Sequence, residues 1–125
     1  MPFIRVIVPA KRTEASSKAL IEKITEAVHM AGCGPIENVR IVVQQSDEVA
    51  TAPVGPLNGF AHVPVIEMFL IEGRSLELKR LLEAKLGAAV RSAGLGAHGD
   101  PVVFVREVPS TAWGIAGKTA RDLGR

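Results

Sequence analysis

From Phe3 to Val8 (FIRVIV) the chain alternates its side chains with a period of two and favours β-branched residues, the pattern of a short strand. The period then changes. Ala19, Leu20, Ile24, Ala27 and Val28 recur at spacings of three and four, which predicts an amphipathic helix with Thr13 as its cap and Gly32 as its stop. Asn38 to Gln45 follows with a nearly continuous apolar run, Val39, Ile41, Val42 and Val43, the mark of a strand buried on both faces. The same three parts then return. Val65 to Ile71 reads as a strand, Ser75 caps a helix carrying Leu78, Leu81, Leu82, Leu86 and Val90, and Val102 to Val108 reads as a second strand. Between the two sets, SDEVATAPVGPLNGFAHV (46–63) is rich in Pro and Gly and predicts a loop.

The recurrence extends to individual residues. Shifting the chain by 62 positions superposes Pro2 on Pro64, Ile4 on Ile66, Arg12 on Arg74, Leu20 on Leu82, Lys23 on Lys85 and Val43 on Val105 without a gap. AGCG (31–34) falls on AGLG (93–96), so the glycines that end the helices coincide too. At 125 residues the chain suits one domain. The expected organisation is a single domain over 1–125 made of two β-α-β repeats, 2–45 and 64–125, joined by the linker 46–63. A strand, helix and strand in one sheet form a right-handed parallel crossover. Two fused crossovers predict an α/β (α+β) fold: a four-stranded sheet with two helices on one face. Ile4, Val6, Ile66 and Met68 are expected to point away from the helices, leaving a bare apolar face that drives oligomerisation.

Composition narrows the partners. The formal charge is only +2, and the basic residues are scattered without aromatic neighbours, so no nucleic-acid partner is expected. No continuous apolar run reaches the roughly 18 residues that a membrane span needs, and no signal-peptide pattern opens the chain, which predicts a cytoplasmic protein with no membrane partner. Cys33 stands alone and reads as a packing thiol. His29, His62 and His98 have no metal-ligand spacing, so neither a metal nor another cofactor is expected.

PVIEMFLIEGRS (Pro64 to Ser75), WGIAGKTARDLGR (Trp113 to Arg125) and NVRIVV (Asn38 to Val43) resemble segments of the tautomerase superfamily, and of 4-oxalocrotonate tautomerase in particular. Where this chain has WGIAG, the short enzyme has an aromatic residue followed by Gly-Ile-Gly-Gly. The resemblance covers nearly the whole chain apart from the linker. It implies a fused, double-length member, expected as a homotrimer in which three chains supply six β-α-β units.

The resemblance also implies a cofactor-free tautomerase that starts its mature chain at Pro2 once Met1 is removed. The α-amino group is then a secondary amine. An ordinary α-amine titrates at about 7.7–8.0, and an apolar pocket lowers that value toward the working pH of a general base. Pro64, locked in an amide, cannot play this part. A guanidinium holds a carboxylate through two parallel hydrogen bonds. In fused relatives the working proline of the first unit is served mainly by residues of the second, so the resemblance implies Arg74 as the clamp for a small carboxylate substrate, a 2-hydroxydienoate or 2-oxo-enoic acid.

Arg12 and Arg40 stand at the family's other arginine positions, serving the Pro2 site, the inert Pro64 site or a neighbouring chain. Trp113 falls at the aromatic wall of the family pocket. Asn38 stands where malonate semialdehyde decarboxylases carry Asp, and Val102 where a second copy of Arg40 would fall. Ile115 occupies the position at which water-adding members carry a carboxylate, although Glu107 and Asp100 lie nearby. Decarboxylase, dehalogenase or hydratase, and non-catalytic readings stay open beside the tautomerase.

Overall fold

The computed structural model describes residues 2–8, 14–45, 64–94 and 101–125. The expected cap Thr13, the linker 46–63 and Arg12 lie outside them. The first unit consists of strand β1 (Phe3–Val8), helix α1 (Glu14–Met30) and strand β2 (Arg40–Gln45). The second consists of β3 (Val65–Ile71), α2 (Leu76–Ser92) and β4 (Val102–Val108). A hairpin of two short strands, β5 (Gly114–Ile115) and β6 (Lys118–Thr119), follows.

Within each unit the strands pair in parallel, β1 with β2 and β3 with β4, while β1 and β3 meet antiparallel at the centre. The sheet order is therefore β2-β1-β3-β4. Ser75 caps α2 as expected, its hydroxyl oxygen accepting a 3.1 Å bond from Leu78 N, which satisfies one of the free amides of the first turn.

The two helices cover one face of the sheet, but not the face opposite Ile4, Val6, Ile66 and Met68. Those four are completely buried. With Val8 and Leu70 they form one cluster with Leu20, Ile24 and Val28 of α1 and Leu82, Leu86 and Val90 of α2. The reason lies in the alternate residues. Arg5 and Glu67 stand opposite each other in the β1–β3 register, and burying that row under helices would strip both charges of water. The wholly aliphatic row goes inside, where each fully buried Leu or Ile contributes about 1.5–3 kcal/mol. The outward row is mixed: Phe3, Arg5 and Ile7 on β1, and Val65, Glu67 and Phe69 on β3. Phe3 and Phe69 meet there with ring centroids 5.9 Å apart and planes tilted by 51°.

β2 also departs from the sequence reading. It is an edge strand with one face open, and its Val42 is 47% exposed, as is Phe104 of β4 at 51%. It starts at Arg40 because Ile36–Asn38 forms a 3₁₀ turn, with Asn38 N donating to Pro35 O at 3.0 Å. Leu81, expected among the core residues of α2, lies on its exposed side.

The β5–β6 loop has two residues, Ala116 (φ 49°) and Gly117 (φ 80°), both left-handed as a type I′ turn requires. Glycine adopts this freely. For alanine the conformation costs about 1–2 kcal/mol, while glycine elsewhere gives back roughly 0.5–1 kcal/mol through its greater freedom when unfolded. Ala116→Gly is expected to stabilise the protein by about 0.5–1 kcal/mol, measured by thermal or urea unfolding; a lower midpoint would show that the turn carries no strain.

Candidate active site

The antiparallel register decides which functional residues meet. Phe3 pairs with Phe69, so Pro2 comes level with Leu70 at the end of β3 that leads into Arg74. Pro2 is buried, and its carbonyl accepts a 3.1 Å bond from Arg40 N at the start of β2. Pro64 makes the equivalent bond, its carbonyl accepting from Val102 N at 3.1 Å, but the register puts it level with Val8 at the opposite end of the central strands. Two prolines with matching backbone anchors thus stand at opposite ends of the sheet.

At the Pro2 end lies a cavity of about 390 Å³, within the range of small-molecule sites. The turn after α1 supplies Cys33 and Gly34, the 3₁₀ turn supplies Asn38, and the end of β3 with the turn into α2 supplies Ile71, Glu72, Gly73 and Arg74. Arg125 closes the wall. Residues of the first unit therefore face the arginine turn of the second.

Local sequence builds that turn. Gly73 adopts φ 106°, a conformation that strains an L side chain, and this lets the chain swing from strand to helix with Arg74 at the rim. Two carboxylates brace it. Glu72 N donates to Val108 O at 2.9 Å and its Oε1 accepts from Ser110 N at 3.3 Å, while Glu107 Oε1 accepts from Arg74 N at 3.3 Å and pairs with Lys79 Nζ at 3.0 Å.

Arg125 was not singled out from the sequence. Nothing in its local pattern separates it from a solvated arginine, and only the fold of the tail brings it to the cavity. Arg121 N donates to Ser110 O at 3.1 Å, Ala120 is fully buried, and Arg125 N donates to Ala120 O at 2.9 Å. The guanidinium groups of Arg74 and Arg125 make no hydrogen bond or ion pair with any described residue, which leaves their donors free for an anionic guest.

Cys33 is 1% exposed, and burial pushes its thiol above the ordinary value, with the Arg74 guanidinium drawing it the other way. It lines the cavity as a packing group that stays protonated near neutral pH.

The remaining candidates are dispersed. Arg40 belongs to the Pro2 end, but its Nη1 donates to the carbonyl oxygens of Glu37 (2.7 Å) and Val39 (3.2 Å) on its own chain. Trp113 is half-buried ahead of β5, its carbonyl accepting from Ala120 N at 2.7 Å, and it is not on the cavity wall. Neither Arg12 nor Asp100 lies among the described residues.

No protein-family model matches the chain. Among curated proteins, the 2-hydroxymuconate tautomerases of Comamonas testosteroni and Pseudomonas putida are each 35% identical over 63 residues, which is their entire length and half of this chain. Among solved structures, a native fused 4-OT superposes with a TM-score of 0.87 at 32% identity, covering 98% of this chain and 99% of its own. A fused 4-OT described as an asymmetric trimer gives 0.85 at 30% identity over the same shares. A malonate semialdehyde decarboxylase shares the fold, with a TM-score of 0.77 at 21% identity, over 98% of this chain and 96% of its own. A chain half of which matches a complete short tautomerase, and which superposes end to end on fused 4-OT structures at 30% and 32% identity, belongs to the tautomerase superfamily as a fused relative of 4-oxalocrotonate tautomerase.

Proposed function

We propose that the chain is a cofactor-free tautomerase in which Pro2, freed of Met1, is the general base and Arg74 holds the carboxylate of a 2-hydroxydienoate or 2-oxo-enoic acid. The observation that supports this reading is the β1–β3 register, which brings Pro2 level with Leu70, the residue before Ile71 in the wall of the cavity that Arg74 and Arg125 also line. The free secondary amine takes the enol proton, the oxygen lone pair becomes the carbonyl bond, and the conjugated system shifts its double bond. The ring N–H then returns the proton to carbon. No proton is gained or lost overall, and no cofactor is called for.

Each neighbour has a part. The buried setting of Pro2 disfavours an ammonium, which keeps the amine neutral. The guanidinium of Arg74 fixes the carboxylate, with that of Arg125 beside it, and offsets the negative charge that develops as the enol loses its proton. Asn38 presents an amide to the cavity, which exchanges hydrogen bonds but is no base, and Ile115 offers no carboxylate to activate water. Both favour proton transfer over hydration. Arg40 and Trp113, off the cavity wall of the single chain, are proposed to complete the site across an oligomer.

That oligomer is proposed to be a homotrimer. The outward row of the sheet offers Phe3, Phe69, Val42 and Phe104 around the Arg5 and Glu67 row, and fused 4-OT structures that superpose on this chain are trimers. Light scattering should give three times the chain mass at micromolar concentration; a stable monomer would end this part of the reading.

Arg74→Ala removes a charge-assisted contact of about 1.5–3 kcal/mol and is expected to lower kcat/KM on a 2-hydroxydienoate by roughly tenfold to over a hundredfold, read from steady-state kinetics. If Arg74→Ala left kcat/KM unchanged, the carboxylate would have to be held elsewhere.

For Pro2, kcat/KM should fall as pH drops through a single ionisation below the ordinary α-amine value of about 7.7–8.0, because burial disfavours the protonated form, and should level off above it. A variant with residues added ahead of Pro2, confirmed by intact mass, converts the nitrogen to an amide and should lose nearly all activity. Turnover by that variant at the rate of the processed protein would exclude Pro2 as the base.

A further inference from the structure

We propose that Glu107 is a positioning residue whose carboxylate sets where the Arg74 guanidinium stands. Its kinetic readout rests on the tautomerase reading above, whereas its geometry does not. A single oxygen, Glu107 Oε1, receives both Arg74 N at 3.3 Å and Lys79 Nζ at 3.0 Å. It thereby ties the end of β4 to the turn at the cavity, 33 residues earlier in the chain, and to the opening turns of α2 that follow that turn.

The turn needs such a tie. On its strand side the last anchor is the Glu72 N to Val108 O bond, after which Gly73 at φ 106° gives the chain a residue of wide conformational freedom. On its helix side the Ser75 cap serves Leu78 N and not Arg74 N. Arg74 N precedes the helix, and among the described residues its acceptor is Glu107. The Arg74 side chain makes no hydrogen bond of its own to hold it, so its position follows from its backbone.

The test uses the full chain with variants Glu107→Ala, Glu107→Gln, Arg74→Ala and the Glu107→Ala/Arg74→Ala double. Glu107→Ala is expected to raise KM for a 2-hydroxydienoate by about tenfold or more while kcat stays within about threefold. Glu107→Gln, whose amide oxygen still accepts from Arg74 N, should restore KM to within about threefold of the parent. Because Glu107 acts through Arg74, the double variant should bind no worse than Arg74→Ala alone, the non-additivity of coupled residues.

Additive losses in the double variant, a Glu107→Gln defect as large as that of Glu107→Ala, or a fall confined to kcat would each overturn the proposal. If the parent protein turns over no 2-hydroxydienoate, the tautomerase reading fails by itself. The positioning claim is then decided by calorimetric binding of sorbate, an inert dienoate, across the same four variants. The same ordering of dissociation constants upholds it, and equal binding by the parent and Glu107→Ala overturns it.

Discussion

The antiparallel pairing of β1 with β3 is the constraint on which the rest of the molecule depends. Each β-α-β unit could be built alone with parallel ladders, but a parallel join between units would set both prolines at one end of the sheet and both arginine turns at the other. The observed pairing, Phe3 with Phe69 and Ile7 with Val65, reverses one unit against the other. The start of the first unit thereby comes to lie at the end of β3 that leads into the strand-to-helix turn of the second, while Pro64 comes level with Val8. Pro2 comes level with Leu70, and Arg74 follows a few residues on. Neither unit makes the cavity by itself: Cys33 and Asn38 come from the first, Glu72 and Arg74 from the second.

What holds that register is the opposition of two rows. Ile4, Val6, Ile66 and Met68 are sealed under α1 and α2, while Arg5 and Glu67 occupy the other side. A slip by one residue would exchange the rows, sending an arginine and a glutamate beneath the helices at a cost of several kcal/mol per uncompensated charge. The core thus specifies register through what it refuses as much as through what it buries. The cavity sits where this firm scaffold gives way to turns, and there hydrogen bonds take over from packing: Glu72 to Ser110, Glu107 to Arg74 and Lys79.

The two copies of the unit keep the same skeleton and differ in chemistry. Pro2 and Pro64 accept matching 3.1 Å bonds, from Arg40 and Val102. Only the first can present a free amine, and only the first is anchored by an arginine. The fusion that brings residues of both units to one cavity also ties the second proline into an amide. Half of the internal symmetry survives as structure.

Much of this was legible in the residues. Alternation at Phe3–Val8 and Val65–Ile71, three- and four-residue spacing in both helices, the Ser75 cap and the repeat itself are local signals, because they depend on neighbours two to four positions apart and on side chains that meet backbone within one turn. Pro2, Arg74 and Asn38 stand out instead through the resemblance of their segments to the tautomerase superfamily. The sequence did not say which row of each strand would be inside, although Arg5 and Glu67 held the answer once they were known to face each other. Nor did it place Asn38 in a turn, put β2 at an open edge, or bring Arg125 to the cavity. Each of those depends on which segments meet across long stretches of chain: a helix period says that one face is apolar but not what covers it, and a strand's alternation is the same at an edge as at the centre. Only the tertiary structure decided them, because the free energy that selects among such arrangements belongs to contacts between elements and is written in no single element's pattern.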